Sequence, residues 1–525
     1  MSRSNATEKY REFLWTEPAA QSRRVTLITP PSSFLLDERV FVSLGILKVA
    51  SVLEARGNQV SVLDLSGIEN FLEPLKDHLK SCEDFAIGVT TTTPQLPAAI
   101  AIAKTVRELR PDIRLILGGP HVTLCYAASK AEKKRGVVGG RAAGACAQLE
   151  SIFDVICCGD GEIAISVALA DNPPKVIDGD EPELGLFLDN ALYTDSPYPA
   201  RHLVDMASYH YEIEGLRSTS LIGQLGCPFS CGFCGGRSSK SLRAIRSRSV
   251  ESIIEEMTLL HKEHGFKGFM FYDDELNVSK SMVQLMNAIA DLQQELGVEF
   301  QLRGFVKSEL FTAEQAEAMV RAGFRWLLCG FEAGHPQILR NINKKATLED
   351  NSRCVGIARD AGLKIKALMS CGHPGESEET IKSIADWLIR SEVDDFDCTV
   401  ITTYPGTPYY DFAVPHESLE GVWTYTYEKT GDRLHAYDVD FTKTADYYKG
   451  DPQDGYKAFV FSDYLSSDQI VGLRNWVEDE VRSNLGIAFN PSRAALRYEH
   501  SMGQGIPDFI LRQSRAGAPS EKACS

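Results

Sequence analysis

The sequence predicts an α/β protein with two successive series of alternating strands and helices. In the first series, between residues 25 and 170, five short apolar runs alternate with segments of helical periodicity, which predicts a doubly wound, Rossmann-like parallel sheet. In the second series, between residues 215 and 412, six such units predict a partial (β/α)6 barrel of the TIM type. A chain of 525 residues is long enough to hold both, together with a small C-terminal domain.

The first series opens with the buried run RVTLITPP, a helical segment that ends at Gly57, and the strand QVSVLDLSG. Three more strands follow in FAIGVTTTTP, RLILGGPHVT and DVICCGDGE. Ligands bind at the carboxyl ends of the strands in such sheets. The loop residues that we expect to face a ligand are Thr90, Thr91, Thr92, Thr93, Gly118, Gly119, Pro120, His121, Gly159, Asp160, Gly161 and Glu162.

The six strands of the second series lie in SLIGQLGCP, GFMFYDDELN, EFQLRGFV, RWLLCGFEAG, KIKALMSCGHPGE and DCTVITTYPGTP. The first helix between them carries one apolar stripe, as the outer helix of a barrel requires. Barrel enzymes place their chemistry at the carboxyl ends of the strands. The residues that we expect there are Cys227, Asp273 to Asn277, Arg303, Glu332, Cys371 to Glu376, and Tyr404 to Pro408.

Three further segments complete the organisation of the chain. Residues 1–24 are predicted to form a polar tail, and residues 171–214 a linker with little periodic structure. Residues 413–525 are acidic and rich in tyrosine, and then helical in pattern. This composition predicts an irregular accessory region after the barrel.

Composition limits the classes of function. The net charge of −17 repels phosphate backbones, so a nucleic-acid partner is not expected. One dense basic stripe, RSSKSLRAIRSR, predicts either a local anion site or a solvated loop. The chain shows neither a long apolar run nor a secretory signal, which argues against a membrane span. Thirteen cysteines in this context indicate reduced thiols or metal ligands in a cytoplasmic protein.

The segment GCPFSCGFCGG brings Cys227, Cys231 and Cys234 together after the first barrel strand. Three thiolates could bind zinc, but structural zinc takes four ligands, and no histidine or second CxxC lies nearby in the sequence. Iron–sulfur clusters are normally held by four thiolates. Three thiolates on a cubane leave one iron open to a small chelating molecule, and the spacing therefore favours a cluster over zinc.

This motif, at this position in a β/α barrel, resembles the radical S-adenosylmethionine (SAM) superfamily over residues 215 to 412. The family pattern CxxxCx(aromatic)C matches at Cys227, Cys231, Phe233 and Cys234, and GFEAG, GHPGES and YPGTPYYD follow in the expected order. The resemblance implies that the three cysteines hold a 4Fe–4S cluster and that SAM chelates the fourth iron. It also implies that Phe233 lies beside the adenine.

The same resemblance makes Glu332 the expected contact to the SAM ribose; the alternative is an acidic residue that is satisfied at the barrel rim. The family's GGE after the second strand is replaced by YDDELN. Asp273 and Glu275 are therefore both candidates for the SAM amino group. Arg303 is expected either to pair with the SAM carboxylate or to form a structural ion pair.

The upstream sheet resembles the cobalamin-binding domain of the cobalamin-dependent radical SAM enzymes. The segments TTTTP, GGPHVT and CCGDGE match the loops that meet the corrin and its nucleotide tail in that family. GDGEIA lacks the third glycine of a dinucleotide fingerprint. The DxHxxG motif that supplies a histidine to cobalt is absent from residues 25–170, and His121 is expected to be a loop histidine. The resemblance therefore implies cobalamin without a histidine lower ligand.

Taken together, the resemblance implies a methyltransferase that acts on an unactivated carbon of a small-molecule, natural-product-like intermediate. The reaction would use a 5′-deoxyadenosyl radical and methylcobalamin, with electrons from a flavodoxin- or ferredoxin-type partner. Ring contraction, cyclisation or oxidation with the same cofactors is one alternative. A non-catalytic scaffold with zinc at the cysteines is another.

Two side-chain sets have two interpretations each. Cys371, at the end of the fifth barrel strand, is either a contact in the predicted cavity or a thiol of the core. Tyr425, Tyr427, Tyr447 and Tyr448 are either lid residues that help bind substrate or packing residues of the accessory region.

Overall fold

The computed structural model describes residues 19, 21–32, 38–445 and 456–487. Its first sheet consists of β1 (Arg24–Thr29), β2 (Gln59–Asp64), β3 (Ala86–Thr90), β4 (Arg114–Gly118), β5 (Val155–Cys158) and β6 (Val176–Asp178). The strand order is β2-β1-β3-β4-β5-β6, and every neighbouring pair is parallel. The prediction of a doubly wound parallel sheet is confirmed.

Helices cover both faces of this sheet. They are α1 (Leu44–Ala55), α2 (Leu72–Ser81), α3 (Leu96–Leu109), α4 (Pro120–Lys134), α5 (Arg141–Ile152) and α6 (Gly161–Ala168). Successive residues of a strand point to opposite faces. Accordingly, Leu27 belongs to the hydrophobic cluster that includes Leu47 of α1, and its neighbour Ile28 belongs to a second cluster with Val106 of α3.

The sixth strand of this sheet corrects the sequence prediction of a linker with little structure. Val176–Asp178 pairs with Ile156, Cys157 and Cys158 of β5. Three residues that follow two prolines are too few to show a strand period, which is why the pattern was invisible in the sequence.

The barrel region contains β7 (Glu212–Ile213), β8 (Leu216–Leu221), β9 (Gln224–Leu225), β10 (Arg246–Ser247), β11 (Gly268–Phe271), β12 (Gln301–Val306), β13 (Phe324–Glu332), β14 (Lys364–Cys371) and β15 (Asp395–Val400). Seven of these strands form one curled sheet in the order β15-β14-β13-β12-β11-β8-β7, in which β8 and β11 to β15 are parallel. The predicted partial barrel of six β/α units is confirmed. The remaining strands, β9 and β10, pair antiparallel beside the cysteine motif.

The helices of this half are α7 (Asn190–Asp195), α8 (Lys240–Arg243), α9 (Val250–His264), α10 (Met282–Leu296), α11 (Ala313–Ala322), α12 (Pro336–Ile342), α13 (Leu348–Asp360), α14 (Glu378–Ser391) and α15 (Pro408–Asp411). In α9, Ser249 accepts a hydrogen bond from the backbone N–H of Ser252, and Gly265 ends the helix in the left-handed conformation. Its buried face carries Ile253, Met257 and Leu260, in agreement with the predicted apolar stripe.

The C-terminal region is more regular than its composition suggests. It forms an antiparallel sheet of β16 (Val414–Pro415), β17 (Val422–Thr426), β18 (Arg433–Tyr437) and β19 (Val460–Ser462), followed by α16 (Ser467–Leu485). The prediction of an irregular region is wrong for the strands. Each strand has only two to five residues, which is too short a span for a strand period to stand out in the sequence.

Helix α16 covers the open edge of the curled sheet. Arg474 donates from Nε to the carbonyl oxygen of Cys398 at 2.7 Å, and Arg482 donates from Nη2 to that of Phe396 at 3.0 Å. Glu478 accepts the backbone N–H of Cys398 at 3.3 Å. The edge strand β15 therefore has side-chain partners where it lacks a neighbouring strand.

The two sheets pack against each other with their functional edges in contact. Arg246 of β10 forms a buried ion pair with Asp160, which follows β5; Nη1 and Oδ2 are 2.6 Å apart. Lys48 of α1 donates to the carbonyl oxygen of Pro197 at 2.8 Å. Among the described residues, the helices include none that is both long and apolar enough to cross a bilayer.

Candidate functional site

The three motif cysteines lie on a loop between β9 and α8 that backbone hydrogen bonds fix on both sides. The N–H of Cys227 donates to the carbonyl oxygen of Leu242 at 3.1 Å, and the N–H of Cys234 donates to that of Cys231 at 3.2 Å. Gly232 donates to the carbonyl oxygen of Ile342 at 2.8 Å. The loop is thus held between the first and fourth barrel units.

The basic stripe that follows the cysteines stabilises this loop. Arg237 donates to the carbonyl oxygens of Gly235 at 2.9 Å and Cys227 at 3.1 Å, and Arg243 donates to that of Pro228 at 2.8 Å. Arg246 is already paired with Asp160. These arginines bind loop carbonyls and a carboxylate, so the stripe is neither a free anion site nor a solvated loop.

Buried positive charge surrounds the cysteines. Burial raises the pKa of the Cys231 thiol, and Lys344 acts in the opposite direction. Burial likewise raises the pKa of Cys234 to about 12, against which Arg237 acts. Metal ligation requires thiolates, and the nearby cations favour that form.

The number of thiols in the loop distinguishes the two kinds of metal site. Structural zinc takes four protein ligands, whereas the motif offers three thiols, Cys227, Cys231 and Cys234. Within the described ranges, the group of three potential ligands whose ligand atoms all lie within 4.8 Å of one another is His78, Cys82 and Asp84, and it does not include the motif cysteines. The three thiols therefore suit a cluster that keeps one position open to a small molecule.

The three acidic residues that follow β11, at positions 273 to 275, have different surroundings. Asp273 accepts the backbone N–H of Gly223 at 2.7 Å, and burial raises its pKa to about 7. Asp274 faces a cavity beside Gly226. Glu275 has a buried Oε2 without a hydrogen-bond partner among the described residues, and burial raises its pKa to about 7. Of the two candidates for the SAM amino group, Glu275 therefore has the available oxygen, whereas Asp273 supports the loop.

Glu332 ends β13 in the left-handed region, at φ 67°. Its Oε1 lies 3.1 Å from Nζ of Lys344, and its Oε2 accepts a hydrogen bond from Ser370 at 2.8 Å. A carboxylate offers about four lone-pair positions, so acceptor capacity remains for a ligand hydroxyl. A left-handed backbone at a non-glycine residue is a strained conformation that often marks a functional site.

Arg303 does not lie at the carboxyl end of its strand. It is fully buried in the middle of β12, where it pairs with Met270 and Trp326 and lies 5.8 Å from the Trp326 ring centroid. The prediction that Arg303 lies at the carboxyl end of its strand is wrong, because β12 continues for three residues beyond Arg303. Lys307, directly after β12, is the buried cation at that edge; its Nζ lies 4.1 Å from the ring centroid of Phe229.

Phe233 packs inside the loop beside the GHPGES turn. Its ring centroid lies 5.5 Å from that of His373 in an edge-on arrangement. It also contacts the hydrophobic cluster of Cys231, Ala333 and Ile338. Phe233 therefore lies between the cysteine motif and the ends of β13 and β14, the region where the resemblance places adenine.

A cavity of about 380 Å³ lies between the two sheets, at the carboxyl edge of the first. Eight of the predicted loop residues line it: Thr90, Gly118, Gly119, Pro120, Gly159, Asp160, Gly161 and Glu162. The barrel contributes to the same cavity with Leu225, Gly226, Tyr272 and Asp274. The volume lies within the range of small-molecule and cofactor sites.

The shape of this cavity fits a bulky apolar group. Its walls include Leu27, Ile46 and Ile116. Gly45 of α1 also lines it, and a Cβ at Gly45 would meet no heavy atom of the described residues within 4 Å. Gly119 adopts φ 99°, and a Cβ there would lie 2.7 Å from the backbone nitrogen of Thr91. The loop therefore turns tightly while the groove beside α1 stays open, as a nucleotide tail would need.

The threonine loop after β3 faces a different space. Thr91 is fully buried. Thr92 and Thr93 line a second cavity of about 410 Å³ together with Phe41 and Tyr404. The strand-end residue that borders the first cavity is Thr90. Sequence reasoning placed the loop at the correct edge but could not tell which residues face which space.

His121 is not a loop residue. It lies in the first turn of α4, where its Nδ1 is 3.0 Å from Oγ1 of Thr93 and its Nε2 is 3.4 Å from the sulfur of Cys125. Burial lowers its pKa to about 4. Both ring nitrogens have protein partners, and His121 does not line the cavity; its prediction as a cofactor contact is corrected.

The remaining candidates belong mostly to the core. Cys371 is fully buried, and its thiol contacts that of Cys398 on β15, which raises the pKa of Cys371. The ring of Tyr425 lies 4.8 Å from that of Tyr409, and the N–H of Tyr427 donates to Asp432 in a turn. Tyr447 and Tyr448 lie outside the described residues.

Several residues of the site had no signal in the sequence. Lys307, Lys344 and Gly45 belong to no motif that we singled out, and they reach the site only because distant segments converge in the fold. His373 and Tyr409 lie within the matched segments GHPGES and YPGTPYYD, but the segments alone do not show that the two side chains meet.

Comparison with known families finds one matching domain model in each half of the chain. A model of the radical SAM superfamily matches residues 221–388, and a model of the B12 binding domain matches residues 38–150. The fold resembles the solved structure of the radical SAM methyltransferase TsrM from Kitasatospora setae, with a TM-score of 0.62, 17% identity and 90% of each chain covered.

Relatives among curated proteins are distant in sequence. An uncharacterized methyltransferase of Pyrococcus horikoshii is 25% identical over 412 residues, which are 75% of this chain and 84% of the relative. An anaerobic magnesium-protoporphyrin IX monomethyl ester cyclase of Cereibacter sphaeroides is 23% identical over 352 residues, 64% of this chain and 54% of the relative. The names of the relatives thus include both methyl transfer and ring formation.

The two domain models imply the three cofactors: a 4Fe–4S cluster and SAM for the radical SAM domain, and cobalamin for the B12-binding domain. The thiol loop, the open carboxylate positions and the apolar groove described above suit these groups. A B12-binding domain thus stands directly before a radical SAM domain, which is the domain order of the cobalamin-dependent radical SAM enzymes that the chain resembles.

Proposed function

We propose that this enzyme methylates an unactivated carbon of a small-molecule, natural-product-like intermediate. The observation that carries the proposal is the cavity shared by Gly118 and Gly159 of the first sheet with Gly226 and Asp274 of the barrel. A methyl carrier held there would lie beside the cysteine loop. When bound, the cluster and SAM supply one-electron bond cleavage, and cobalamin supplies the methyl group.

The cysteine loop would hold the cluster. Cys227, Cys231 and Cys234 provide three thiolates, and Arg237 fixes the loop backbone around them. Lys344 and Arg237 offset the negative charge of these ligands. The fourth iron would have no protein ligand from this motif, which leaves that position to SAM.

Residues at the ends of β11 and β13 would orient SAM. Glu332 would accept hydrogen bonds from the ribose hydroxyls, and the buried oxygen of Glu275 would accept a hydrogen bond from the amino group. Phe233 would lie along the adenine. For the carboxylate we favour Lys307 over Arg303, because Lys307 follows its strand directly and Arg303 lies in the barrel interior.

The groove beside α1 would receive the nucleotide tail of cobalamin. His121 faces away from it, so the lower face of cobalt would have no histidine ligand. Closure between the two sheets would keep water away from the reacting groups. Reductive SAM cleavage consumes electrons, so a flavodoxin- or ferredoxin-type donor is part of the proposal. A cytoplasmic location, where thiols stay reduced, is part of it as well.

The test is anaerobic turnover with SAM labelled in its methyl group, using holoenzyme reconstituted with iron, sulfide and cobalamin. A panel of candidate small molecules is screened for label, and SAM cleavage is followed in parallel. Label in a substrate carbon supports methyl transfer. Cys231→Ala should lose cluster colour and SAM cleavage together, whereas a zinc scaffold would be colourless from the start.

Ring formation without methyl transfer is a second candidate, favoured by the similarity to the cyclase of Cereibacter sphaeroides. The same labelling experiment separates the two functions. A product that is altered in mass by loss of hydrogen, with no label incorporated, would replace methylation by cyclisation or oxidation.

A further inference from the structure

Hydrogen bonds join four side chains in a line that begins at Glu332 and continues through Ser370 and His373 to Tyr409. Ser370 Oγ lies 2.8 Å from Oε2 of Glu332 and 2.9 Å from Nε2 of His373. On the other side of the imidazole, Nδ1 lies 3.3 Å from the hydroxyl oxygen of Tyr409. Three segments that are separate in the sequence thus meet behind one carboxylate: the ends of β13 and β14, and α15.

The chemistry of the groups fixes the direction of every proton in this line. A carboxylate can only accept, so the Ser370 hydroxyl donates to Glu332. The Ser370 oxygen then accepts from His373, which assigns the imidazole proton to Nε2. Nδ1 is left as an acceptor for the Tyr409 hydroxyl. Burial lowers the pKa of His373 to about 3, so the ring is neutral at physiological pH.

The imidazole has little freedom to move. Its backbone N–H donates to Oε2 of Glu376 at 2.8 Å, and its ring meets Phe233 edge-on at 5.5 Å. Both His373 and Glu376 are fully buried. A hydrogen bond between groups that are already fixed costs little ordering entropy.

Tyr409 is fixed against the cysteine loop. Its N–H donates to the carbonyl oxygen of Gly232 at 3.0 Å. A Cβ at Gly232 would lie 2.1 Å from Cε1 of Tyr409, so only glycine permits this approach. On its other side the Tyr409 ring contacts Tyr425 of β17 at 4.8 Å. The line therefore connects the C-terminal sheet, the cysteine loop and Glu332.

We infer that His373 and Tyr409 are positioning residues that hold the Glu332 carboxylate in the orientation required to bind the SAM ribose. The inference rests on the proposed contact between Glu332 and SAM. Glu332 needs such support because its backbone is in the left-handed region and Lys344 attracts its other carboxylate oxygen, Oε1. Neither positioning residue touches SAM in this assignment.

The test measures SAM binding to the reconstituted holoenzyme in three variants. His373→Leu removes both polar contacts, Tyr409→Phe removes one hydroxyl, and His373→Gln retains a donor toward Ser370. One hydrogen bond contributes about 0.5–1.5 kcal/mol. We expect SAM affinity, measured by equilibrium dialysis, to fall about tenfold in His373→Leu and about threefold in Tyr409→Phe. His373→Gln should recover most of the loss.

A second readout separates positioning from general damage. SAM binding changes the electron paramagnetic resonance spectrum of a reduced cluster to which it coordinates, and the SAM concentration needed for that change should rise in step with the dissociation constant. Iron content should stay at the wild-type level in all variants. Tyr410→Phe is the matched control, because no hydrogen bond of the line involves that hydroxyl.

A double variant tests whether His373 acts through Glu332. Glu332→Gln alone should weaken SAM binding, and Glu332→Gln with His373→Leu should bind no more weakly than Glu332→Gln alone. Additive losses would overturn the inference, as would unchanged affinity in both Tyr409→Phe and His373→Leu. If Glu332→Gln itself binds SAM normally, the proposed contact between Glu332 and SAM is wrong. If Glu332→Gln weakens SAM binding but the His373 and Tyr409 variants do not, the contact stands and only the positioning role is wrong.

Discussion

Buried lysine side chains bring positive charge to the site, beside the acidic groups with which they pair. Lys344 lies against Glu332, and its pKa is raised through this carboxylate and the nearby thiol of Cys231, although burial opposes the shift. Lys307 forms an ion pair of 2.9 Å with Glu309. Two buried lysine side chains, each in an ion pair, suit a site that must hold thiolates and a carboxylate-bearing ligand.

Gly45 gives the sharpest prediction at this scale. Gly45→Leu places a side chain in the open groove of α1, so we expect cobalamin affinity to fall at least about tenfold, since the ligand and the side chain would occupy the same volume. Absorbance of bound corrin after gel filtration measures the loss. Iron content should not change, because Gly45 belongs to α1 and the three cysteines belong to the loop between β9 and α8.

Gly144→Leu is the matched control for that variant. Gly144 is also an exposed glycine inside a helix, and a Cβ there would meet no heavy atom within 4 Å, but it does not line the cavity. Normal corrin binding in Gly45→Leu, or an equal loss in Gly144→Leu, would contradict the assignment of the groove.

At the scale of elements, long alternating units were predictable and short ones were not. All six barrel strands and five strands of the first sheet were found, because each pairs an apolar run with a helix. β6 and β16 to β19 were missed, since they are short and lack a flanking helical pattern. The cysteines were found by spacing, whereas Lys307, Lys344 and Gly45 depend on tertiary convergence that no local pattern encodes.

Helix α16 carries a prediction at the same scale. Arg474→Met removes the donor to the edge carbonyl of Cys398 and a partner of Glu478, and both groups are buried. Loss of one member of a buried ionic network typically costs about 3–5 kcal/mol. We expect the free energy of unfolding in urea to fall by about that amount.

Arg474→Lys serves as the comparison, because it keeps a positive charge beside Glu478. It should recover part of the stability. A change below about 0.5 kcal/mol in Arg474→Met would show that α16 contributes nothing to the edge.

At the scale of the whole molecule, the two domains share one ligand space. A ligand that binds only the folded state stabilises it, by about 2.7 kcal/mol at one hundred times its dissociation constant. Because both sheets line the cavity, we expect cobalamin to raise the unfolding temperature of both domains together, by about 3 °C. Calorimetry with and without cobalamin measures this shift.

Gly45→Leu, with a dissociation constant about tenfold higher, should show only about half of this shift at the same cobalamin concentration. A shift confined to one of two separate transitions would mean that cobalamin contacts a single domain. In that case the cavity between the sheets would not be its binding space.

The covered edge of β15 also has a consequence for synthesis. Helix α16 ends about 85 residues after that strand. At about 5–20 residues per second, the ribosome needs roughly 4 to 17 s to complete the helix after the strand has emerged. During that interval the edge carbonyls of Phe396 and Cys398 lack their arginine donors. A nascent chain at this stage presents an open strand to its neighbours, which makes it a natural client for a ribosome-associated chaperone.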